Sequence, residues 1–206
     1  MKLSTIRPTV VRTLLPAAVL YSVALLWSGA EGISAELVLR DLAQSCDAPL
    51  GQGFLSSVGY LLWMAAAAIA LFTASTRQIQ GPVAYRQFAY CGGGFSLWLC
   101  LDDMFLVHDR YLGEAFLYIT YAFFTGVLLF KFRGPLQRFA GDTFLLAVVL
   151  LGASVLIDAL QGVLPFSYKT VQIVEECAKF MGIAVWLAFW GHYVNATSRL
   201  TSFDQR

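Results

Sequence analysis

Charged residues are scarce in this chain. They make up 13% of its 206 residues, while 58% are hydrophobic, and soluble domains carry roughly a quarter charged residues. The 14 basic and 13 acidic side chains nearly cancel, so the chain lacks the basic excess typical of nucleic-acid binding. This scarcity, with a mean hydropathy of +0.67, predicts an integral membrane protein whose surroundings are the lipid bilayer, with no nucleic-acid partner.

Cysteine and histidine are also too few for a disulfide framework or a conventional zinc site. The four cysteines form no CxxC pair, and only Cys46 lies in a predicted loop. Of the two histidines, His192 lies at the inner end of the last apolar run. We interpret it as part of an interfacial aromatic belt with Trp186, Trp190 and Tyr193. That interpretation leaves His108 as the histidine with a predicted functional role.

Six apolar runs approach the length of about 20 residues that crosses a bilayer. The first has an alternative interpretation as a signal peptide over residues 1–30, because Arg7 and Arg12 precede it and small residues follow at 28–30. We favour retention, since Trp27 is typical of an anchored helix. The sequence therefore predicts an all-α integral membrane protein, one transmembrane domain over residues 1–206. It would form a six-transmembrane-helix bundle with spans at 13–29, 54–75, 88–108, 114–132, 144–164 and 171–193.

Basic residues predict the orientation of these spans. With the N-terminus inside, the inner segments hold ten of the 14 basic residues, namely Lys2, Arg7, Arg12, Arg77, Arg86, Lys131, Arg133, Arg138, Arg199 and Arg206. Cytoplasmic loops of membrane proteins carry such an excess. We therefore predict cytoplasmic N- and C-termini, in a membrane of the bacterial inner type.

Glycine is concentrated in the inner half of the third span, at Gly92-Gly93-Gly94. No predicted strand precedes this run and no GK[ST] follows it, which argues against a nucleotide-binding loop. Small residues allow neighbouring helix backbones to approach closely. The run therefore predicts a tight helix contact.

Ionisable side chains interrupt three of the predicted spans. Asp102 and Asp103 lie in the third, Asp158 in the fifth, and Glu175 and Glu176 in the sixth. At 1.5 Å rise per residue, all of them lie roughly 9–10 Å below the outer surface. Carboxylates in hydrocarbon are costly and mark functional sites. We predict that Asp102, Asp158 and Glu175 converge on one cavity open to the outer side.

Helical phase predicts which residues of the third span lie on the same face of the helix. Asp102 and Asp109 lie about 20° apart on one face, whereas Asp103 is about 100° from Asp102. This spacing predicts that Asp103 faces a different direction from Asp102. His108 is predicted to lie near the mouth of the cavity. Tyr118 of the fourth span lies at a similar outer depth, from which its hydroxyl can reach the site.

The last span contains the lysine of the group. Glu175 and Lys179 form an i, i+4 pair in the favourable order, and Glu176 is three residues before Lys179. We expect Lys179 to be held by one of these glutamates. The predicted ligand-binding residues are Asp102, Asp103, His108, Asp109, Asp158, Glu175, Glu176 and Lys179.

Three functions are compatible with this set. The first is binding of a cation or small polar ligand, as a carrier or receptor-like module; a divalent metal held by Asp102, His108 and Glu175 is one such ligand and the candidate cofactor. The second is a membrane-embedded hydrolase, with or without a metal ion, that acts on lipid by acid–base chemistry, although the sequence identifies no catalytic residue. The third is a non-catalytic subunit whose partner is a membrane complex or a second copy of the chain. The alternative to all three is a purely structural role, in which the charged residues only pair with one another and cap helices.

Overall fold

The structure is a computed structural model that describes residues 11, 15–35, 39, 46, 51–107 and 111–200. Within these residues the regular elements are helices, with no strand, so the all-α prediction is confirmed. The helices are α1 (Leu15–Ala30), α2 (Phe54–Ser75), α3 (Val83–Phe105), α4 (Glu114–Lys131), α5 (Arg133–Arg138), α6 (Gly141–Ala159) and α7 (Tyr168–Ser198).

The chain divides into two units, Met1–Gly53 and Phe54–Arg206. The first contains α1, an apolar helix in which the Ser28 hydroxyl donates to the Leu25 carbonyl at 3.0 Å. The second contains α2 to α7 and all of the described intramembrane charges predicted above. The prediction of one domain over the whole chain stays a prediction.

The ends of α3 and α6 differ from the predicted spans for local reasons. Helix α3 begins at Val83, directly after Pro82, because proline is favoured where a helix starts. It ends at Phe105, because Leu106 adopts the left-handed conformation that stops a helix, with φ of 52°. Helix α6 ends at Ala159 and not at Leu164.

The last helix is longer than predicted. It runs from Tyr168 to Ser198, and its start is capped by Ser167, whose hydroxyl accepts a hydrogen bond from the Thr170 backbone N–H at 3.3 Å. A serine cap of this kind satisfies a backbone N–H that the helix leaves unpaired. The six long helices thus correspond to the six predicted segments, with shifted ends. The short α5 was not predicted.

Aromatic side chains form the core of the second unit. Trp186, Trp190 and Tyr193 of α7 are fully buried with Phe88 of α3 and Phe144 of α6. The Phe88 ring centroid lies 5.3 Å from that of Trp190, and Phe144 lies 5.3 Å from Trp186. The prediction that the α7 aromatics form an interfacial belt is therefore wrong. Large rings serve equally well in a core and at a membrane interface, so their identity alone could not decide.

The glycine run on α3 makes the predicted tight contact. A Cβ added at Gly92 would lie 2.2 Å from the Trp190 ring, and one at Gly93 would lie 2.8 Å from the Leu71 side chain. A Cβ at Gly94 would meet nothing within 4 Å. Two of the three glycines are thus required by packing, one against α7 and one against α2.

Two of the described helices are long and apolar enough to cross a bilayer. These are α2 and α6, while α1 and residues Ala115–Lys131 are apolar but shorter. Length and composition of two helices give weak support for membrane association. They do not confirm the predicted six-span bundle.

Candidate functional site

A cavity of about 460 Å³ lies in the second unit, among α2, α3, α4, α6 and α7. Small-molecule sites typically have volumes of roughly 300–1,000 Å³. Most of the wall is apolar, but its charged residues and its tyrosines gather where α3 and α6 end and where α4 and α7 begin. We call this part the polar end; its described residues are Asp102, Asp103, Tyr118, Tyr121, Asp158, Glu175 and Lys179.

Carboxylates from three helices meet at the polar end. Asp102 comes from α3, Asp158 from α6 and Glu175 from α7, and all three line the cavity. The sequence predicts this convergence from depth in the predicted spans. In the structure Asp102 and Asp158 lie within one turn of the ends of α3 and α6, and Glu175 lies about two turns after the start of α7. What these carboxylates bind stays a prediction.

The geometry of Asp103 differs from the predicted one. Asp103 lines the same cavity as Asp102, although helical phase placed it in a different direction. Its Oδ1 atom lies 2.8 Å from the Lys179 Nζ atom, and its Oδ2 atom accepts a hydrogen bond from the Trp63 indole N–H at 3.0 Å. Asp103 thus links α2, α3 and α7.

The expected partners of Lys179 were Glu175 and Glu176 on its own helix. The ion pair that the structure gives this lysine is with Asp103 on α3, and that expectation is corrected accordingly. A lysine side chain is long and flexible enough to cross to a neighbouring helix. Because the resulting ion pair joins two helices, it stabilises their packing against each other, which a pair within one helix does not. Lys179 lines the cavity.

Two tyrosines of α4 bind the other aspartates. The Tyr121 hydroxyl donates to the Asp102 carboxylate, which is only 2% exposed, and the Tyr118 hydroxyl donates to the Asp158 carboxylate. Tyr118 was expected within reach of the site, whereas Tyr121 was missed. The available signal was their spacing of three residues, which places both hydroxyls on one face of a helix.

Of the three remaining predicted ligands, the structure describes one. Glu176 is exposed and is absent from the described lining residues. His108 and Asp109 lie outside the described residues. No group of three or more histidine, cysteine, aspartate or glutamate side chains within the described ranges is placed to hold a metal ion. The predicted metal set of Asp102, His108 and Glu175 therefore has no support from that part of the chain.

Much of the rest of the cavity is a mainly apolar groove between α4 and α6. Helix α4 contributes residues spaced three and four apart, which is one continuous helix face. Small side chains on both helices leave the space open, among them Ala122 and Gly126 of α4 and Gly152 of α6. A Cβ added at Gly152 would meet nothing within 4 Å. The groove is bounded by Ala122, Thr125, Gly126, Leu129, Phe130, Val148, Leu151, Gly152 and Val155.

Comparison with known proteins gives one match. The family model described as "Domain of unknown function (DUF8692)" matches residues 13–192. Neither the curated proteins nor the solved structures contain a match.

Proposed function

Because the chain belongs to the family described as Domain of unknown function (DUF8692), whose description states no activity, we propose a function from the site itself. The protein is a multi-pass membrane protein that binds a cation or a small polar ligand in the cavity of the second unit. The polar end supplies the charged contacts. Ligand binding accounts for the position of these charged groups, which line a cavity of ligand size.

One observation carries this proposal: carboxylates and an ammonium group from three helices line one cavity of ligand size. The described lining includes the carboxylates of Asp102, Asp103, Asp158 and Glu175 and the ammonium group of Lys179. Carboxylate oxygens are ligands for cations, and a few convergent polar groups in a mainly apolar pocket are typical of a small-molecule site.

The surface of the second unit supports placing it in a membrane. Large apolar side chains are exposed along α2, α4 and α6, whereas soluble proteins rarely expose contiguous apolar patches of this kind. In this proposal six helices cross a bacterial inner membrane, and the cavity opens to the outer side. The exposed residues include Phe54, Leu55, Leu61, Phe72, Phe116, Ile119, Phe123, Leu145, Leu146, Val149 and Leu156.

The orientation can be tested with reporter fusions. A reporter that is active only in the cytoplasm should be active when it follows Arg206, since both termini are placed there by the distribution of basic residues. A second reporter, of a kind that is active only after export, should be active when it is inserted at Pro165, between α6 and α7. Export of the Arg206 fusion would overturn the orientation.

Binding can be tested on the purified full-length protein in detergent, with propylammonium chloride and manganese chloride as probes. At least one cation should raise the thermal unfolding temperature, because a ligand that binds only the folded state stabilises it. Glu175→Gln should weaken the binding about tenfold, the effect of losing one charge-assisted contact. Asp102→Asn should weaken it as well, and the two effects should be non-additive because both residues face one ligand.

Glu176→Gln is the matched control for Glu175→Gln. It removes the same charge one residue away, from a side chain that is exposed and lies outside the described lining. Wild-type cation response is expected from this variant. If neither cation changed the unfolding temperature of the wild-type protein, the proposed function would be wrong.

A further inference from the structure

We infer that the cavity is the outer half of a path across the membrane, with Leu129 as its gate, and that the protein moves a water-soluble ligand along this path. The inference rests on the proposed function and adds transport to binding. A second cavity supplies the inner half of the path. The second unit thus contains the parts of a carrier, whereas a receptor needs only the first cavity.

The second cavity has a volume of about 450 Å³, close to the 460 Å³ of the first. Its wall comes from the end of α4, the short helix α5 and the start of α6. These segments lie on the cytoplasmic side in the proposed orientation, so we call it the inner cavity and the first one the outer cavity. The inner cavity has polar groups of its own, those of Arg133, Gln137 and Asp142. Both cavities therefore offer polar contacts to a water-soluble ligand.

Helix α6 lines both cavities with one face. Gly141 and Leu145 line the inner cavity, and Val148, Gly152 and Val155 line the outer cavity. Residues at alternating spacings of four and three, as these are, lie on the same side of a helix. The two cavities therefore lie end to end along α6 and not on opposite sides of it.

Together the two cavities extend over most of the thickness of a bilayer. From Asp142 to Asp158 the lining of α6 covers about 24 Å of the helix axis, and the hydrocarbon core of a membrane is about 30 Å thick. Charged side chains lie at both ends of this stretch, those of the polar end on one side and those of Arg133 and Asp142 on the other. In the proposed orientation the two charged ends lie near the two membrane surfaces.

Leu129 of α4 is the one residue, among those that the structure describes, that lines both cavities. Its side chain is apolar and half-buried, and hydrophobic constrictions close membrane pores by excluding water. The described wall common to the two cavities is therefore one leucine side chain. A shift of this side chain is enough to join the cavities.

Ligand binding can act on this constriction through α4. The Tyr118 hydroxyl donates a hydrogen bond to the Asp158 carboxylate of α6. The Tyr121 hydroxyl donates one to the Asp102 carboxylate of α3. These two bonds tie α4 to its neighbours at the polar end, and a ligand that binds the same carboxylates competes with them. Binding in the outer cavity would thus loosen the helix that carries Leu129.

The test measures from which side of the membrane water reaches each cavity. The reagent is a methanethiosulfonate with a trimethylammonium group, which reacts with thiols and does not cross lipid. One cysteine at a time is introduced into the full-length protein, and right-side-out and inverted membrane vesicles are compared. Val155→Cys should react from the outer side, and Leu145→Cys should react from the inner side. Mass spectrometry of the labelled peptide identifies the position, so the native cysteines do not interfere.

The neighbouring residues on α6 provide matched controls. Leu145 and Leu146 are 50% and 51% exposed, but Leu146 is absent from the described lining of both cavities. Leu156 is related to Val155 in the same way. Leu146→Cys and Leu156→Cys should react at least about tenfold more slowly than their neighbours, because the reactive thiolate is costly to form in hydrocarbon.

The role of Leu129 is tested by combining Leu145→Cys with Leu129→Ala. The reagent is itself an organic cation, so its arrival at position 145 from the outer side reports passage through the constriction. Leu129→Ala should raise that rate about tenfold, the effect of removing an apolar barrier of the size of a leucine side chain. The matched control is Leu128→Ala. Leu128 is buried and outside the described lining of both cavities, so this variant should leave the rate unchanged.

The outcomes separate this inference from the proposed function. If Leu145→Cys reacted from the inner side no faster than Leu146→Cys, the inner half of the path would be wrong and the binding cavity would remain. An equal effect of Leu128→Ala and Leu129→Ala, or no effect of either, would overturn the assignment of Leu129 as the gate. Cation binding is measured separately, by thermal unfolding of the purified protein, so its failure would be seen whatever the labelling shows.

Discussion

Replacing Lys179 with methionine should lower the free energy of unfolding by about 3 kcal/mol, because it leaves the Asp103 carboxylate without its counter-charge. The lower end of the range for buried ion pairs applies, since the side chains of Lys179 and Asp103 are 28% and 12% exposed. Trp63 would still donate its hydrogen bond to Asp103. That contact limits the loss but does not replace a cation.

The contribution of the ion pair can be isolated with a double-mutant cycle. Lys179→Met, Asp103→Asn and the double variant are compared by thermal unfolding in detergent, with Glu176→Gln as a control for removing an exposed charge. The coupling between the two residues should be about 2 kcal/mol, as is typical of residues in one ion-pair network. The control should stay within about 0.5 kcal/mol of wild type. Additive single effects would show that the 2.8 Å contact between Asp103 and Lys179 contributes nothing of its own.

The common level of the acids was predictable from the sequence because it depends on helix rise and short connections. Counted along the predicted spans, Asp102, Asp158 and Glu175 each lie about two turns from the outer surface, and antiparallel neighbours joined by short turns bring such residues to one level. In the structure Asp102 and Asp158 lie within one turn of the ends of α3 and α6, and Glu175 lies about two turns after the start of α7. Depth alone does not decide that the three residues face one cavity, because that also depends on how each helix is rotated about its axis.

The partner of Lys179 was not predictable in the same way. Spacing along one helix identifies candidate partners on that helix, here Glu175 and Glu176. The pairing with Asp103 depends on how α3 and α7 are rotated about their axes, which is set by packing of the buried aromatic core. Two residues that differ by about 100° in helical phase can also line the same cavity when neighbouring helices form walls on both sides of it. Asp102 and Asp103 are such a case.

Some helix ends could have been read correctly from the sequence. Pro82 before α3 and Ser167 before α7 are standard start signals, but hydropathy alone set the predicted boundaries. The groove was harder to anticipate. It exists because small residues on two helices, such as Gly126 and Gly152, come to face one cavity. Glycine in a membrane helix predicts close packing at least as readily as a binding groove.

Gly92 illustrates the packing role and gives the second large expected effect. Gly92→Ala should lower the free energy of unfolding by about 2 kcal/mol, because the added methyl group would lie 2.2 Å from the Trp190 ring. Trp190 has no room to withdraw, since it is fully buried and its ring centroid lies 5.3 Å from that of Phe88 and 5.0 Å from that of Phe189. Alanine favours helix by up to about 1 kcal/mol over glycine, and the clash must exceed this gain.

Gly94→Ala provides a matched control on the same helix, two residues away. Its Cβ would meet nothing within 4 Å, so this variant should be as stable as wild type or more stable by up to about 1 kcal/mol. Thermal unfolding of both variants in one detergent measures the difference, which contains the clash alone because the helix-propensity gain is common to both. Equal stability of the two alanine variants would mean that α3 and α7 do not approach each other at Gly92 as the structure places them. Propylammonium binding to folded Gly92→Ala should match wild type, since neither Gly92 nor Trp190 is among the described residues that line the cavity.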